Sequence, residues 1–506
     1  MNRLGLVVLG NQLFPPALLR GSSNLPVFMA EDVGLCTYVR HHRQKIVMFL
    51  AAMRAYRDDL ALRGFEVSYE TLAGESEDPG YFGFEARLGR WVKSRRLTGL
   101  RLWEVEDKFF EQRLVAFAAA QGLSLEFMPS PMFVTTREQF RGWRAGHPRL
   151  HMADFYRWQR QRLQVLTEDG RPRGGQWSFD GENRQRLPRD VRVPLLRTAS
   201  ATAHVKEVIG LVQHRFSAHP GELDVARWWL PTTRAQALAG LRDFIERRLE
   251  CFGPYEDALS ERDPFLFHSV LTPALNLGLV TPAEVLQQVL RAAEAEKLPL
   301  PSVEGFVRQL IGWREFIRGV YQECSSQQEQ SNFFGHQRKP GAQWYTGSTG
   351  LAPLDAAIRK AARWGWTHHI ERLMVLGNLM TLCEIAPVEA HRWFMEMYVD
   401  SSDWVMGPNV YGMATFADGG LFATKPYLCG SNYLLKMSDY GRPRAGETDW
   451  CEIVDGLYWR FIAKHRPFFE RQARMNQTVA LLDRLDPARR ERILGAAEAF
   501  IARVTT

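Results

Sequence analysis

Trp366-Thr367-His368-His369-Ile370-Glu371-Arg372-Leu373-Met374 opens a stretch that runs to Met437-Ser438-Asp439-Tyr440, and no other part of the chain sets so many polar and aromatic groups against an apolar helix. Ile370, Leu373, Leu376 and Met380 recur three to four residues apart, so one helical stripe is expected to face the core while His368 and Arg372, four apart, share another face. Two histidines and a cation thus enter the protein on one rigid element. Downstream stand Asp400, Asp403-Trp404, Pro408-Asn409, Ala417-Asp418-Gly419-Gly420 and Lys425-Pro426-Tyr427. That inventory suits a site better than a plain helical bundle.

Outward from this stretch, nearly everything from Thr232 onward is helical in period, with breaks at Phe252-Gly253-Pro254, Thr281-Pro282 and Pro299 to Pro301. The first 130 residues read differently. Short strand-like runs at Leu4–Leu9, Val27–Met29, Val67–Glu70, Leu100–Val105 and Leu125–Phe127 alternate with helical patterns such as Ile46, Phe49, Met53, Tyr56 and Leu60. Such alternation predicts βαβ units in a parallel, doubly wound sheet. The first turn, Gly10-Asn11-Gln12-Leu13, lacks the G-x-G-x-x-G spacing of an ordinary dinucleotide domain. Between the halves lie an Arg- and aromatic-rich helix, Met152–Leu163, and a turn-rich passage, Gly170–Pro188, expected to cross the surface. The expected architecture is an α/β domain over 1–130, a connector over 131–231 and a large all-α domain over 232–506.

Composition narrows the class. The 506 residues, 45% hydrophobic and 24% charged, are enough for two or three large cores. No apolar run is long enough to span a bilayer and no secretory cleavage pattern follows Met1-Asn2-Arg3, so a cytoplasmic protein is expected. Six scattered cysteines without a CxxC pair argue against a zinc knuckle or a disulfide framework. A formal charge of +7 tolerates an anionic partner without demanding one. Most of the 15 Trp are expected to fill cores.

Several motifs occur in a shared order over some 400 positions: Tyr38 to Lys45, Gly175 to Arg184, Gly253-Pro254-Tyr255-Glu256-Asp257-Ala258, Trp313-Arg314-Glu315-Phe316, the His368-His369 helix and Phe416 to Gly420. Together they resemble the cryptochrome and photolyase family, and more closely its bacterial (6-4) photolyase branch. The resemblance implies a U-shaped FAD inside the helical domain, lined by Tyr255, with His268 and Ser269 at its phosphates and Gln309, Trp313 and Arg314 beside it. Arg372 and Asp400 match the paired arginine and aspartate by the flavin, where a fixed cation balances the charge of the reduced ring. On its own, Arg372 reads as a structural ion-pair residue. His368 and His369 match the lesion-facing histidines, His369 as proton donor and His368 orienting it. Met413, Lys425, Tyr427 and Tyr433 would line the lesion pocket and DNA face, and Trp393 and Tyr345 the electron-supply route. The implied activity is light-driven repair of (6-4) photoproducts in UV-damaged DNA, by a monomer that does not enter the membrane; the alternative is a cryptochrome-like blue-light receptor without repair.

The chain also departs from that branch. At the four positions of the branch's iron–sulfur ligands stand Pro353, Gly441, Arg444 and Cys451, and a single thiolate cannot hold a four-iron cluster, so none is expected and no metal is assigned. Asn11 and Leu35 replace acidic positions of the lumazine-type antenna site, which weakens the case for a bound antenna. Met406 stands where an acidic residue or Asn faces the flavin N5 in relatives, and a thioether does not accept N5–H as they do. Phe394 follows Trp393, and Tyr345 takes a place where tryptophan is common; both changes bear on photoreduction.

Overall fold

The computed structural model describes residues 3–72, 83–444, 446, 448–472 and 475–506. Five strands, β1 (Leu4–Val7), β2 (Val27–Ala30), β3 (Val67–Glu70), β4 (Gly99–Trp103) and β5 (Ser124–Met128), form one parallel sheet in the order β3-β2-β1-β4-β5. Leu6 is in register with Val27, and Leu4 with Gly99. Crossover helices Arg43–Leu62, Phe84–Arg95 and Lys108–Gln121 join successive strands, as parallel pairing requires. The sequence expectation of a parallel, doubly wound sheet is met, with strand ends shifted by one or two residues.

Strand side chains alternate between two faces, and here the two faces have different partners. Val7, Leu9, Phe28 and Ala30 pack against Phe84, Leu88, Trp91, Phe110 and Leu114 of two crossover helices. Leu6, Val8, Val27 and Met29 instead share a core with helix Arg43–Leu62 and with Val205, Leu241, Phe306 and Ile311 from the second half of the chain. The sheet therefore serves as a wall for the helical body.

That body runs as helices from Ala203 to Val504. Met152–Leu163 is a helix with the expected bounds. Its Arg160 is fully buried, donates to the carbonyls of Val165 and Trp177, and lies 5.1 Å over the Trp177 ring; this is a packing cation. Residues 185–202 form neither helix nor strand before the next helix starts. All six cysteines are free, most Trp are buried, and no helix among the described residues is long and apolar enough to cross a membrane.

Candidate active site

Three helices of the body widen locally from i→i+4 to i→i+5 turns, over Arg308–Trp313, Glu371–Gly377 and Pro408–Ala414. Each holds residues singled out above: Gln309 and Trp313, Arg372, and Met413. Such π-turns are rare and frequently mark functional sites. Two of them touch, since a Cβ on Gly377 would lie 2.7 Å from the Ala414 Cβ, and Thr381 Oγ1 donates to the Ala414 carbonyl at 2.9 Å. Upstream, helix Ala352–Trp364 stops at Gly365, whose φ of +61° few other residues adopt. The chain then turns through Trp366 and Thr367 before the His368–Arg372 segment begins.

At the centre, Arg372 makes a two-pronged pair with Asp400, with NH1 to Oδ1 at 3.0 Å and NH2 to Oδ2 at 3.1 Å. Its Nε donates to the Thr367 carbonyl at 2.8 Å, and the guanidinium lies 3.9 Å over the Tyr398 ring. Asp400 also accepts from Thr272 Oγ1 at 2.7 Å, and its carbonyl accepts from Asn276 Nδ2 at 2.9 Å. Asn276 in turn accepts from Arg314, which donates to the Met132 carbonyl and lies between Phe133 at 4.5 Å and Trp404 at 4.9 Å. Burial pulls the Arg314 pKa down to about 10, against the charges of Glu315 and Glu106, so it stays cationic near neutrality. A two-pronged, ring-stacked arginine is a charge fixed in place.

The histidines divide by environment. His268 and His368 stack 4.9 Å apart at 7°, both buried. Burial first, then neighbouring histidines and cations, holds both well below the ordinary imidazole value. They are neutral, and His268 Nε2 and both His368 ring nitrogens make no hydrogen bond to protein. His368 Nε2 approaches Glu371 at 3.5 Å, while Glu371 is held by Lys360 at 2.5 Å. His369 stands outermost, its side chain 43% exposed, with Nε2 3.2 Å from Asp257 Oδ1. Desolvation lowers its pKa, but the hydrogen bond and charge of Asp257, with Glu256 behind, outweigh that and leave it raised. One site thus sets an imidazole whose pKa is raised beside two whose pKa is held low.

Glu256 organises the wall beside it. Asn183 Nδ2 and Arg308 NH2 each reach its Oε2 at 3.1 Å, and Gln309 Nε2 reaches Oε1 at 2.5 Å. Burial raises the Glu256 carboxyl, opposed by Arg308 and His369. Arg184 lies 3.7 Å from Asp257 and also pairs with Asp180. Tyr427 and Tyr433 pack against the helical core, and burial first, with Asp180 near the one and Asp257 near the other, raises both phenols. Lys425 is exposed.

The remaining expected residues lie farther out or serve packing. Gln309 turns to Glu256. Tyr255 packs on Phe267 at 5.4 Å, Trp313 and Met413 join the Phe316–Phe422 cluster, and Ser269 lines a cavity of about 180 Å³ with Ser200, Gln236 and Arg248. Met406 is buried in the same core as Trp393. Trp393 donates to the Trp344 carbonyl at 2.8 Å and lies 5.4 Å from Phe394 and 6.0 Å from Tyr398. Tyr345 donates to Glu396 at 2.8 Å, and Arg40 holds the same carboxylate. Sequence reasoning missed Tyr398, which links Arg372 to the aromatic group, and missed Asn183, Glu256 and Asp257 as site residues. The last three sit inside motifs already singled out, so the signal was present.

Two further regions were flagged by the sequence. A cavity of about 130 Å³ opens at the carboxyl edge of the sheet, lined by Asn11, Leu35, Cys36, Tyr38, Lys45, Phe49, Asp107 and Phe109 among others. Asn11 and Leu35 do face it. Lys45 there donates toward His41 Nδ1 at 3.2 Å and to Ser401 Oγ at 3.0 Å, and burial brings it down to about 8. At the four positions compared with cluster ligands, Cys451 is buried and burial pushes its thiol up to about 11. Among the described residues no three or more His, Cys, Asp or Glu converge as a metal site; Ala445, in the loop beside Arg444, lies outside the described residues.

Comparisons with known proteins identify the family. Residues 6–228 match the family described as deoxyribodipyrimidine photo-lyase-related protein, and residues 306–428 match the FAD binding domain of DNA photolyase. The chain is 33% identical over 509 residues to a (6-4) photolyase of Agrobacterium fabrum, covering 99% of both chains. In fold it resembles the crystal structure of a bacterial class III photolyase from Agrobacterium tumefaciens, with TM-score 0.60, 17% identity and 99% and 98% coverage, and a Synechocystis cryptochrome, with TM-score 0.56, 12% identity and 100% and 99% coverage. A parallel sheet backed onto a helical body is the fold of the photolyase and cryptochrome class, and within that class the chain belongs to the bacterial (6-4) photolyase branch.

Proposed function

We propose that the protein is a light-dependent FAD enzyme, a lyase that repairs (6-4) pyrimidine photoproducts in DNA. The observation that carries this reading is the His369–Asp257 pair, in which a carboxylate raises the pKa of an imidazole at the outer edge of a site whose inner histidines are held low by burial. The residues fit the cofactor, because unpaired buried nitrogens of His268 and His368 and the fixed Arg372 charge surround a site within or beside the FAD-binding match. When bound and reduced, FAD supplies an electron on illumination. Arg372, locked by Asp400 and Tyr398, compensates negative charge on the ring. With Nε2 engaged by Asp257, His369 holds the transferable proton at Nδ1. Asp257 orients the ring and keeps it charged, and the His268–His368 stack fixes the floor beneath it. Tyr427, Tyr433 and Lys425 would receive the extruded bases and their phosphates.

The chain is read as lacking an iron–sulfur cluster, since Pro353, Gly441 and Arg444 offer no thiolate, and as not depending on an antenna, since Asn11 and Leu35 leave the sheet-edge cavity without those two carboxylates. A second reading, a blue-light receptor without repair, is favoured by Met406 and Phe394, which alter the flavin N5 neighbour and the electron route. The test is repair of a synthetic (6-4) oligonucleotide by chemically reduced protein under blue light, with a dark control and a cyclobutane-dimer substrate. Repair of the (6-4) lesion alone establishes the enzyme; failure on both substrates, with FAD bound and DNA affinity intact, overturns it and favours the receptor. His369→Ala is expected to abolish repair while FAD stays bound.

A further inference from the structure

The segment after Asn183 contains five arginines and one aspartate between 184 and 197, with prolines at 188 and 194. It forms no helix and pairs with no strand. Arg186, Arg189 and Arg192 stand three positions apart, with the chain bending at Arg189–Asp190, and all three are exposed. On the inner side, Leu187 is buried, and Val191 and Val193 pack with Ala258, Leu266 and Phe267.

The strap is held by its backbone. Arg262 donates to the carbonyls of Pro188 at 3.3 Å and Arg189 at 3.2 Å, Arg248 donates to Pro194 at 2.8 Å, and Gln185 N donates to Pro254 at 3.0 Å. Arg262 is itself fixed by Asp439, which also accepts from Ser260 and from the Glu261 amide. Guanidinium groups thus do what a neighbouring strand would do, and the outward side chains are left over. Most arginines of this protein have a carboxylate or carbonyl partner; the guanidinium groups of Arg186, Arg189 and Arg192 have none among the described residues. The row starts beside Arg184, 3.7 Å from the Asp257 that holds His369.

We propose that this strap is a DNA-backbone track: Arg186, Arg189 and Arg192 bind backbone phosphates of the strand flanking the base presented to His369. The proposal rests on the DNA-repair reading and adds to it a surface outside the lesion pocket. Phosphate contacts position a duplex without reading its sequence, so the strap should act alike on damaged and undamaged DNA.

The test is fluorescence anisotropy of labelled duplexes, one with a single (6-4) lesion and one without, between 50 and 200 mM NaCl. R186Q/R189Q/R192Q is compared with wild type and with a charge-matched variant of three other exposed arginines, R20Q/R149Q/R484Q. Flavin absorbance and Tm verify that each variant is folded. The strap variant is expected to lose at least about tenfold in affinity for both duplexes at low salt, with a salt slope shallower by about 2 to 3, since each phosphate contact contributes about 0.9. The charge-matched variant should keep the wild-type slope. A strap variant with wild-type slope, or an equal loss in both variants, overturns the track and leaves the repair reading standing. Wild-type protein that binds neither duplex overturns both.

Discussion

Asp257→Asn is the perturbation that bears most directly on the chemistry. Asp257 Oδ1 lies 3.2 Å from His369 Nε2, with the two side chains 18% and 43% exposed. A pair so open to solvent is worth about 1 kcal/mol at most. Asparagine keeps the shape and a hydrogen-bond acceptor but removes the charge that opposes desolvation of the ring, so the His369 pKa falls. The sign follows from its raised native value: protonated His369 is favoured in the folded protein, and its contribution to stability is present below the unfolded pKa and lost as pH rises through the folded one. Repair that needs the imidazolium should decline over the same upper interval. The assay is single-turnover repair by chemically reduced protein between about pH 5 and 9, bracketing the imidazole range, alongside a histidine NMR titration. In the variant the alkaline limb of the rate profile and the His369 titration should both move to lower pH by a similar amount. A limb that stays in place while the NMR titration moves would show that His369 is not the acid.

Asp400→Asn removes the charge that balances the half-buried Arg372 and is expected to cost about 3–5 kcal/mol, read as a lower Tm together with flavin release. Met406→Asn supplies an amide at the buried position next to the proposed N5, and the neutral flavin radical should accumulate on illumination, followed by its absorption; an amide left without a partner would cost about 1–3 kcal/mol in stability. Trp393→Phe removes the oxidisable ring of the Trp393–Phe394–Tyr398 group and should slow photoreduction in transient absorption; an unchanged rate would place the electron route elsewhere.

Much of this architecture is written in local pattern. Alternation along Leu6-Val7-Val8 and Val27-Phe28-Met29 gives a strand with two apolar faces whatever its partners, and the 3.6-residue period of Met152–Leu163 gives a helix with the observed bounds. The adjacency of His368 and His369, with Arg372 one turn on, is likewise covalent fact. The local period did not show that the helix widens at Glu371–Gly377, because an i→i+5 turn uses the same residue types as an α-turn and depends on the close approach at Gly377 and Ala414.

The charge states of the two neighbouring histidines belong to tertiary structure alone. His368 is held low by burial under His268, 100 positions away in the chain, and the His369 pKa is raised by Asp257, 112 positions away. Asp257 and Glu256 were visible only as part of a motif, since a carboxylate acquires its role from what it faces. Spacing along the chain decides which face of an element a side chain occupies; a pKa depends on desolvation and on charges a few ångströms away, and those distances exist only once the remote segments have packed.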